Sequence, residues 1–572
     1  MSSKSYTVRR DVPEDIRLEL SAYHPILQNL LHFRGISTAI DAESFLNPNY
    51  EKHLHDPYLF PEMEKAVGRI LKAIENNEKI LIYSDYDADG IPGGVVLRQF
   101  FNQIGYTNVE NYIPHRHDEG YGLHLDAVES FKENGTDLII TVDCGIADAN
   151  QVARAQELGM DVIVTDHHEP GAVLPKAFAI INPKLADSTY PERILCGSGV
   201  VYKIIQAILQ KNRFDMTPGK EKWFLDLVGM ATLSDMVPLV GENRALAYFG
   251  LKVLRKSPRP GLQAIWSTLG VDQRTVSEDD IGFSLAPRIN AASRMGHPQD
   301  AFDLLNATDL VEAGRLSAHL NKINDERKGV VASLVKEIKK HLRARETEGE
   351  LPKVLVFGNP EWKPSLLGLA ANSIVDDVSR PIFLWGRNGD SLIKGSCRSD
   401  GATDLMALME GANGAFTQYG GHTMAGGFAL TNEQVHTLEA SLNKAFESLP
   451  EKDAITSVFL DGKLTVPEIT WDTYRHIERL SPFGVGNPKP LFLVTGGKVS
   501  AVKQFGKERN HLEVIYSENN KMIKAISFFS KPEDFSSVPK EGQSVSIVGT
   551  LEKSNFRNYP ELRLRIVDII ES

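Results

Sequence analysis

Carboxylates and imidazoles follow three apolar stretches in the first third of the chain: KILIYSDYDADG (79–90), TDLIITVDCGI (136–146) and DVIVTDHHEP (161–170). A buried strand that ends in Asp or His is how an open α/β sheet places chemistry in the crevice beyond its strand ends. Helix-length stretches separate the three, so their ends would gather Asp85, Asp87, Asp89, Asp143, Asp166, His167 and His168. That many anionic groups in one pocket repel one another unless cations sit among them. Asp235 in GMATLSDMVPL (229–239) adds a further acidic point, again after an apolar stretch. Carboxylate and imidazole donors without thiolate suit Mn²⁺ or Mg²⁺ better than a softer metal. The pattern points to a metal centre and to an enzyme.

Other readings of the same residues are weaker. DYDADG opens like a calcium loop, but an EF-hand needs a bidentate Glu at the loop's end, where Val96 stands, and a helix before the loop instead of a strand. Adjacent side chains at 167 and 168 point in different directions, so at most one imidazole ligates directly while the other faces substrate. Cys144 and Cys397 have no base partner at a suitable spacing. With Cys196 they form no Cys-x-x-Cys pair, which argues against a zinc knuckle or a disulfide framework. GNPEWKPS (358–365) lacks the second Gly and the Lys of a nucleotide phosphate loop, so ATP-driven unwinding is not expected.

These residues must be positioned by more than one domain, since 572 residues exceed what one core holds and roughly three or four domains are expected. Apolar content of 42% and charged content of 24% are those of a soluble globular protein. No apolar run is long enough to span a bilayer, and the N-terminus lacks the apolar core of a signal peptide, so a reducing cytoplasm is expected. A net charge of −12 leaves nucleic-acid binding to local patches. Residues 1–55 read as an extension packed on the next domain. From 56 to 185 helix and strand alternate, implying a largely parallel sheet with right-handed crossovers. Helical texture dominates 197–345, with 326–346 one long helix, and a second α/β unit runs from KVLVFG (353–358) to 448. After it, alternating strands with one helix at 470–480 suit a small barrel of five or six strands, best matched by an OB-fold.

In order and interval, DYDADG, TVDCG, DHH and SDMVPL resemble the motifs of the DHH phosphoesterase superfamily. IPHRHDEGYGL (113–123), LCGSGVVYK (195–203), APRINAASRMG (286–296), GSCRS (395–399), YGGHTMAGGF (419–428) and PFGVGNPKP (482–490) extend the similarity over nearly the whole chain. Within that superfamily it is similar to the bacterial RecJ family of single-stranded-DNA-specific exonucleases. The resemblance implies an N-terminal extension (1–55), a DHH catalytic domain (56–258), a helical connector with APRINAASRMG (259–349), a DHHA1 domain (350–450) and a nucleic-acid-binding OB-fold (454–572). Two departures stand out: Ile91-Pro92-Gly93-Gly94 replaces the family's Thr or Ser at the helix start, and Ser293 stands where Gly is usual.

Carried over by position, the resemblance implies two Mn²⁺ or Mg²⁺ ions held by Asp87, Asp89, Asp143, His167 and Asp235, with Asp143 bridging and Asp85 a further ligand candidate. Asp166 would orient an imidazole, and His168 would contact the scissile phosphate or serve as general acid. Arg116, Arg288, Asn290, Arg294, Ser396, Arg398 and His422 would form the phosphate- and DNA-binding set. Phe528, Phe529, Phe556 and Tyr559, beside Lys553 and Arg557, are candidates for base stacking, with one of the Phe528–Phe529 pair expected in the barrel core. The implied activity is 5′ to 3′ digestion of single-stranded DNA to 5′-mononucleotides, in repair and recombination. The enzyme would act as a monomer beside a helicase and a single-strand-binding protein. An alternative is a DHH/DHHA1 phosphodiesterase on short oligoribonucleotides or cyclic dinucleotides, enzymes that generally lack the extension and the barrel. A third is a binding scaffold on a degenerate site.

Overall fold

Five strands carry the three acidic segments in the computed structural model, which describes residues 5–387, 392–450, 457–506, 508–554 and 559–572. They are β1 (Ile80–Ser84), β2 (Val109–Tyr112), β3 (Leu138–Val142), β4 (Asp161–Thr165) and β5 (Ala179–Ile181). Their order is β2-β1-β3-β4-β5, all parallel. Both faces are covered, and every residue of β1 and β3 is buried, which is why these strands read as continuous apolar runs. The order reverses between β1 and β3, and that switch point opens the crevice where Asp85 and Asp143 emerge.

Helix α1 (Gly90–Gln103) leaves β1 directly, with Pro92 in its first turn, where a missing N–H costs no helical bond. A Cβ at Gly93 would fall 2.7 Å from Val142 Cγ1, and one at Gly94 would fall 2.9 Å from Ser84 Oγ. The glycines that follow Pro92 therefore let α1 press onto the ends of β1 and β3. Helix α2 (Gly197–Lys211) packs against α1. Its buried Lys203 donates to Glu242 Oε1 at 2.8 Å and to the His55 carbonyl at 2.5 Å.

The catalytic core does not stop at 258. One apolar cluster runs from Phe60, Met63 and Ile70 through the sheet to Leu262, Trp266, Leu304, Leu320 and Ile323. Helix α3 (Leu225–Ser234) lies within it, and so does α4 (Ala286–Met295), the helix of the APRINAASRMG motif. The expected connector thus belongs to the catalytic core as far as Ile323. The long helix, α5 (Leu310–Glu348), has 39 residues and starts well before 326. Its first half closes the catalytic core, while Leu334, Ile338 and Leu342 pack on Leu355, Ile374 and Ile382 of the second unit.

That second unit is a mixed sheet of β6 (Leu355–Gly358), β7 (Ile382–Gly386), β8 (Ile393–Arg398), β9 (Gln418–His422) and β10 (Ala425–Leu430), ordered β9-β10-β8-β7-β6. The barrel has seven strands because Gly462–Thr465 and Phe492–Thr495 pair in parallel ahead of the antiparallel meander. A bridge from Lys498 to Ser544 brings the meander's first strand beside the start of Val545–Ser554.

The N-terminal extension corrects another expectation. Leu20, Leu27, Leu30, Leu31, Ala42 and Leu46 are buried in the barrel's core, with Phe492, Val514 and Leu564. Strand Ser5–Val8 pairs in parallel with Ser457–Leu460. From Tyr50 onward the extension's apolar side chains join the core of the catalytic unit. Arg244 fastens the junction: its guanidinium lies 3.7 Å from the Phe45 ring centre and donates to the carbonyls of Phe45 (2.7 Å) and Ser481 (3.1 Å).

Phe528 joins no core. Its strand ends at Ser527, so alternation no longer governs it, and its ring sits under Arg565 at 4.2 Å and beside His511. Phe529 and Tyr559 are exposed, whereas Phe556 and Arg557 lie outside the described residues. Among the described residues no helix is long and apolar enough to cross a membrane.

Candidate metal centre

Each segment delivers its carboxylates through a local device. After β1 the chain turns through Asp85, Asp87 and Asp89 into α1, and Asp87 Oδ1 accepts the backbone N–H groups of Asp89 (2.8 Å) and Gly90 (3.1 Å). A Cβ at Gly90 would lie 2.6 Å from the Asp85 carbonyl, so this turn requires glycine. Asp143 follows β3 with φ of 63°, a left-handed conformation that Asp tolerates better than most side chains. Asp235 comes from the C-terminal end of α3 instead of a strand.

The donors converge. His167 Nε2 lies 3.0 Å from Asp143 Oδ1 and 3.7 Å from both Asp89 Oδ2 and Asp235 Oδ2. Donor atoms of Asp89, His167 and Asp235 lie within 4.8 Å of one another, as do those of Asp85, Asp87 and Asp143, and those of Asp143, His167 and His168. Asp85 Oδ1, Asp143 Oδ1 and both ring nitrogens of His167 are buried without a hydrogen-bond partner. One such orphan costs about 1–3 kcal/mol, so several at one point mark the ligand shell of a cation. Hard oxygen and imidazole donors fit divalent Mn²⁺ or Mg²⁺.

Electrostatics agree. Burial, then the neighbouring carboxylates, push Asp143 well above the usual carboxylate range, and Asp85 likewise. Asp235 is pushed up to about 8 by burial and then by Asp89 and Asp87. Asp166 behaves differently. Its Oδ1 accepts from the His167 and His168 amides (2.7 and 3.0 Å) and lies 2.8 Å from His168 Nδ1, while Oδ2 accepts from Ile146 N at 3.0 Å. Burial would raise it, but the His168 hydrogen bond and charge hold it below its ordinary value. In return, although burial pulls His168 down, Asp166 raises it to about 9.

Three neighbours of the centre escape the sequence reading. The Tyr121 hydroxyl lies 3.0 Å from His168 Nδ1 and donates to the Asp143 carbonyl at 3.2 Å. Gly197 and Ser198, at the start of α2, donate backbone N–H groups to the Asp89 carboxylate. Tyr121, Gly197 and Ser198 all sit in quoted motifs, but nothing in their spacing says which ligand they touch.

The cationic set divides. Arg116 stacks its guanidinium 4.7 Å over Tyr86 and forms no ion pair among the described residues. Arg294 donates to the Ser365 carbonyl at 2.6 Å and is pulled down to about 10 by burial and then by the Arg116 and Arg327 charges. Arg327, on α5, is therefore a further member of this cationic group. Arg288 stands apart: it is buried, and three of its five N–H donors are engaged by Asn321 Oδ1 (3.1 and 2.9 Å) and the Ser284 carbonyl (2.6 Å). It braces α4 against α5 and is less open to a phosphate than Arg116. Asn290 Oδ1 accepts from Ala88 N at 2.8 Å, so it holds the DYDADG turn. Ser396 and Arg398 lie on β8; a Cβ at Gly368 would fall 2.7 Å from Arg398 Nη2, so glycine there makes room for the guanidinium. His422 is exposed at the end of β9. Ser365 Oγ donates to the Arg294 carbonyl at 3.1 Å, joining the second unit to α4.

Comparison with known proteins agrees with this architecture. Family models match for the DHH family, N-terminal domain, over residues 79–232, the DHHA1 domain over 351–448 and the RecJ OB domain over 460–568. The single-stranded-DNA-specific exonuclease RecJ of Bacillus subtilis (strain 168) is 35% identical over 95% of this chain and 68% of its own length. Its namesake from Escherichia coli (strain K12) is 30% identical over 98% of both chains. The crystal structure of RecJ in complex with Mn²⁺ from Thermus thermophilus matches with a TM-score of 0.82 at 25% identity, covering 99% of this chain and 80% of that one. On its motifs, its metal-ready site and these relatives, the chain belongs to the RecJ family.

Proposed function

We propose that the chain is a metal-dependent exonuclease that degrades single-stranded DNA from the 5′ end to 5′-mononucleotides in DNA repair and recombination. The observation that carries this reading is the convergence of orphaned Asp and His donors, with Arg116 and Arg294 nearby and in no carboxylate ion pair among the described residues. Relatives at 35% and 30% identity are named single-stranded-DNA-specific exonucleases. Two separate donor groups, one around Asp89, His167 and Asp235 and one around Asp85, Asp87 and Asp143, favour two ions, with the Asp143–His167 contact joining them. When bound, divalent cations would activate an attacking water and stabilise the leaving oxygen of an in-line displacement at phosphorus.

The chain's own residues supply the rest. Asp166 fixes the His168 ring through Nδ1, leaving Nε2 to hold a proton near neutral pH and hand it to the departing 3′ oxygen. Arg116, Arg294 and Arg327 neutralise backbone phosphates next to the centre, where guanidinium forks match paired phosphate oxygens. Ser396, Arg398 and His422 take a terminal phosphate from the second unit. The barrel holds the following strand, with exposed Phe529 and Tyr559 as stacking faces.

The chain works in the cytoplasm as a monomer, with a separate helicase and a single-strand-binding protein supplying open strand. The oligoribonucleotide or cyclic-dinucleotide reading is disfavoured by the closed barrel and by the extension that completes its core. Digestion of 5′- and 3′-labelled single strands with Mn²⁺ tests the proposal. Labelled mononucleotide should appear at once from the 5′-labelled strand only, and chelator should stop it. Faster turnover of a cyclic dinucleotide than of the strand would overturn it.

A further inference from the structure

The first turn of α2 touches two of the carboxylates at the centre. Gly197 N donates to Asp89 Oδ2 at 2.6 Å, Ser198 N donates to Asp89 Oδ1 at 2.8 Å, and Ser198 Oγ donates to the Asp89 carbonyl at 2.7 Å. A Cβ at Gly197 would fall 2.5 Å from Asp143 Cβ, so the same turn lies against Asp143 as well. Asp89 is only 1% exposed, so bulk solvent cannot readily replace these bonds. The contrast with its neighbours is sharp: Asp85 and Asp143 each keep a buried oxygen without a partner, whereas both Asp89 oxygens already serve a helix N-terminus.

We infer that Ser198 is a positioning residue for the metal centre, locking Asp89 through its backbone carbonyl and its carboxylate so that one fixed edge of that carboxylate faces the cation. Rotation of the Asp89 carboxylate would break two hydrogen bonds from backbone N–H groups at once, and movement of its backbone would break the third. The helix cannot drift to relieve the lock. Further along, Lys203 is fully buried and tied to Glu242 and to the His55 carbonyl, which pins α2 to the rest of the core. Ser198 thus acts through Asp89 and touches neither substrate nor cation. The inference rests on Asp89 being a metal ligand.

Calorimetric Mn²⁺ binding to the metal-stripped full chain, without DNA, tests it. Ser198→Ala keeps the amides and loses the hydroxyl, and should weaken Mn²⁺ binding by about 10–100-fold, the usual loss when a group supporting a ligand is removed. The Mn²⁺ concentration for half-maximal digestion should rise with it, while the rate at saturating Mn²⁺ returns toward wild type. Val200→Ala, a buried position on the same helix outside the hydrogen bonds to Asp89, should lower the melting temperature yet leave Mn²⁺ affinity unchanged. Wild-type affinity in Ser198→Ala, or an equal loss in Val200→Ala, overturns the inference. Should Ser198→Ala not fold, amide exchange at Gly197 and Ser198 in the wild-type chain decides. Mn²⁺ should slow it about tenfold or more, by suppressing local opening, and no slowing overturns the inference. Asp89→Asn separates the two readings, because undiminished Mn²⁺ binding there would remove Asp89 from the ligand set itself.

Discussion

His167 Nε2 and Asp143 Oδ1 face each other at 3.0 Å, both buried and neither in a hydrogen bond. A lone buried His–Asp pair would align a hydrogen bond. Two atoms this close and left unsatisfied have the arrangement of two ligands of one cation, and Asp143 also reaches the group formed with Asp85 and Asp87.

Asp143→Ala should therefore disturb both donor groups together. Turnover on single-stranded DNA should fall on the order of 10³-fold or more, the scale expected when electrostatic stabilisation at phosphorus is lost. Binding of an unlabelled strand, followed by fluorescence anisotropy in competition with a labelled one, should persist, because the cationic and barrel surfaces are untouched. A variant keeping a tenth of the wild-type rate would remove Asp143 from the bridging position.

The metal-free protein should become less stable as pH rises. In the unfolded chain an Asp releases its proton near pH 4, about the model-peptide value. In the folded chain Asp235 holds its proton up to about 8, and Asp143 and Asp85 are raised in the same direction. The native state then binds more protons between those limits, so unfolding free energy falls with rising pH across that window. His168, raised to about 9, adds a term that is full below its unfolded value and lost as pH climbs through 9. Saturating Mn²⁺ should flatten the carboxylate part of the slope, since ligands bind deprotonated. Melting temperatures between pH 5 and pH 9, with chelator and with Mn²⁺, check the sign.

Arg398→Ala should raise KM for 5′-phosphorylated strands and shrink their advantage over 5′-hydroxyl strands. Its guanidinium is half-buried, spends one donor on the Cys397 carbonyl at 2.8 Å and has no carboxylate partner among the described residues. Removing a charged hydrogen bond costs roughly 1.5–3 kcal/mol, or about 10–150-fold in KM. An unchanged preference for 5′-phosphate would show that another residue reads the strand end.

Arg116→Ala and Arg288→Ala should part company, although both arginines belong to motifs of the same resemblance. Arg116 has its guanidinium on Tyr86 and no ion pair among the described residues, so its loss should weaken strand binding and flatten the salt dependence by about one phosphate contact. Arg288 is sealed between α4 and α5, so its loss should lower the melting temperature and leave the salt slope alone. Affinity against salt concentration for the two variants distinguishes them.

The gathering of Asp85, Asp87, Asp89, Asp143 and His167 was legible because these candidate donors follow continuous apolar strands, and a parallel sheet must bring the ends of β1, β3 and β4 to one edge. The ordered motifs also implied the two α/β units and the barrel. What stayed hidden was side-chain commitment: an Arg in a phosphate-like motif looks the same whether it faces solvent, as Arg116 does in part, or Asn321, as Arg288 does. Tyr121 and Ser198 were invisible for a related reason, since their bonds to His168 and Asp89 cross between elements far apart in sequence. The extension was misplaced because an amphipathic helix such as Pro25–His32 shows that it needs an apolar partner but not which one.

That partner is made last. Thr7 and Ser457, neighbours in the small parallel sheet, are separated by 450 residues of chain. At about 5–20 residues per second, the first leucines leave the ribosome on the order of 20–90 s before the surface that covers them. Leu20, Leu27, Leu30 and Leu31 must spend that interval uncovered or in the hands of a chaperone. A polypeptide released before the barrel is complete would carry, at its opposite end, an apolar label of its own incompleteness.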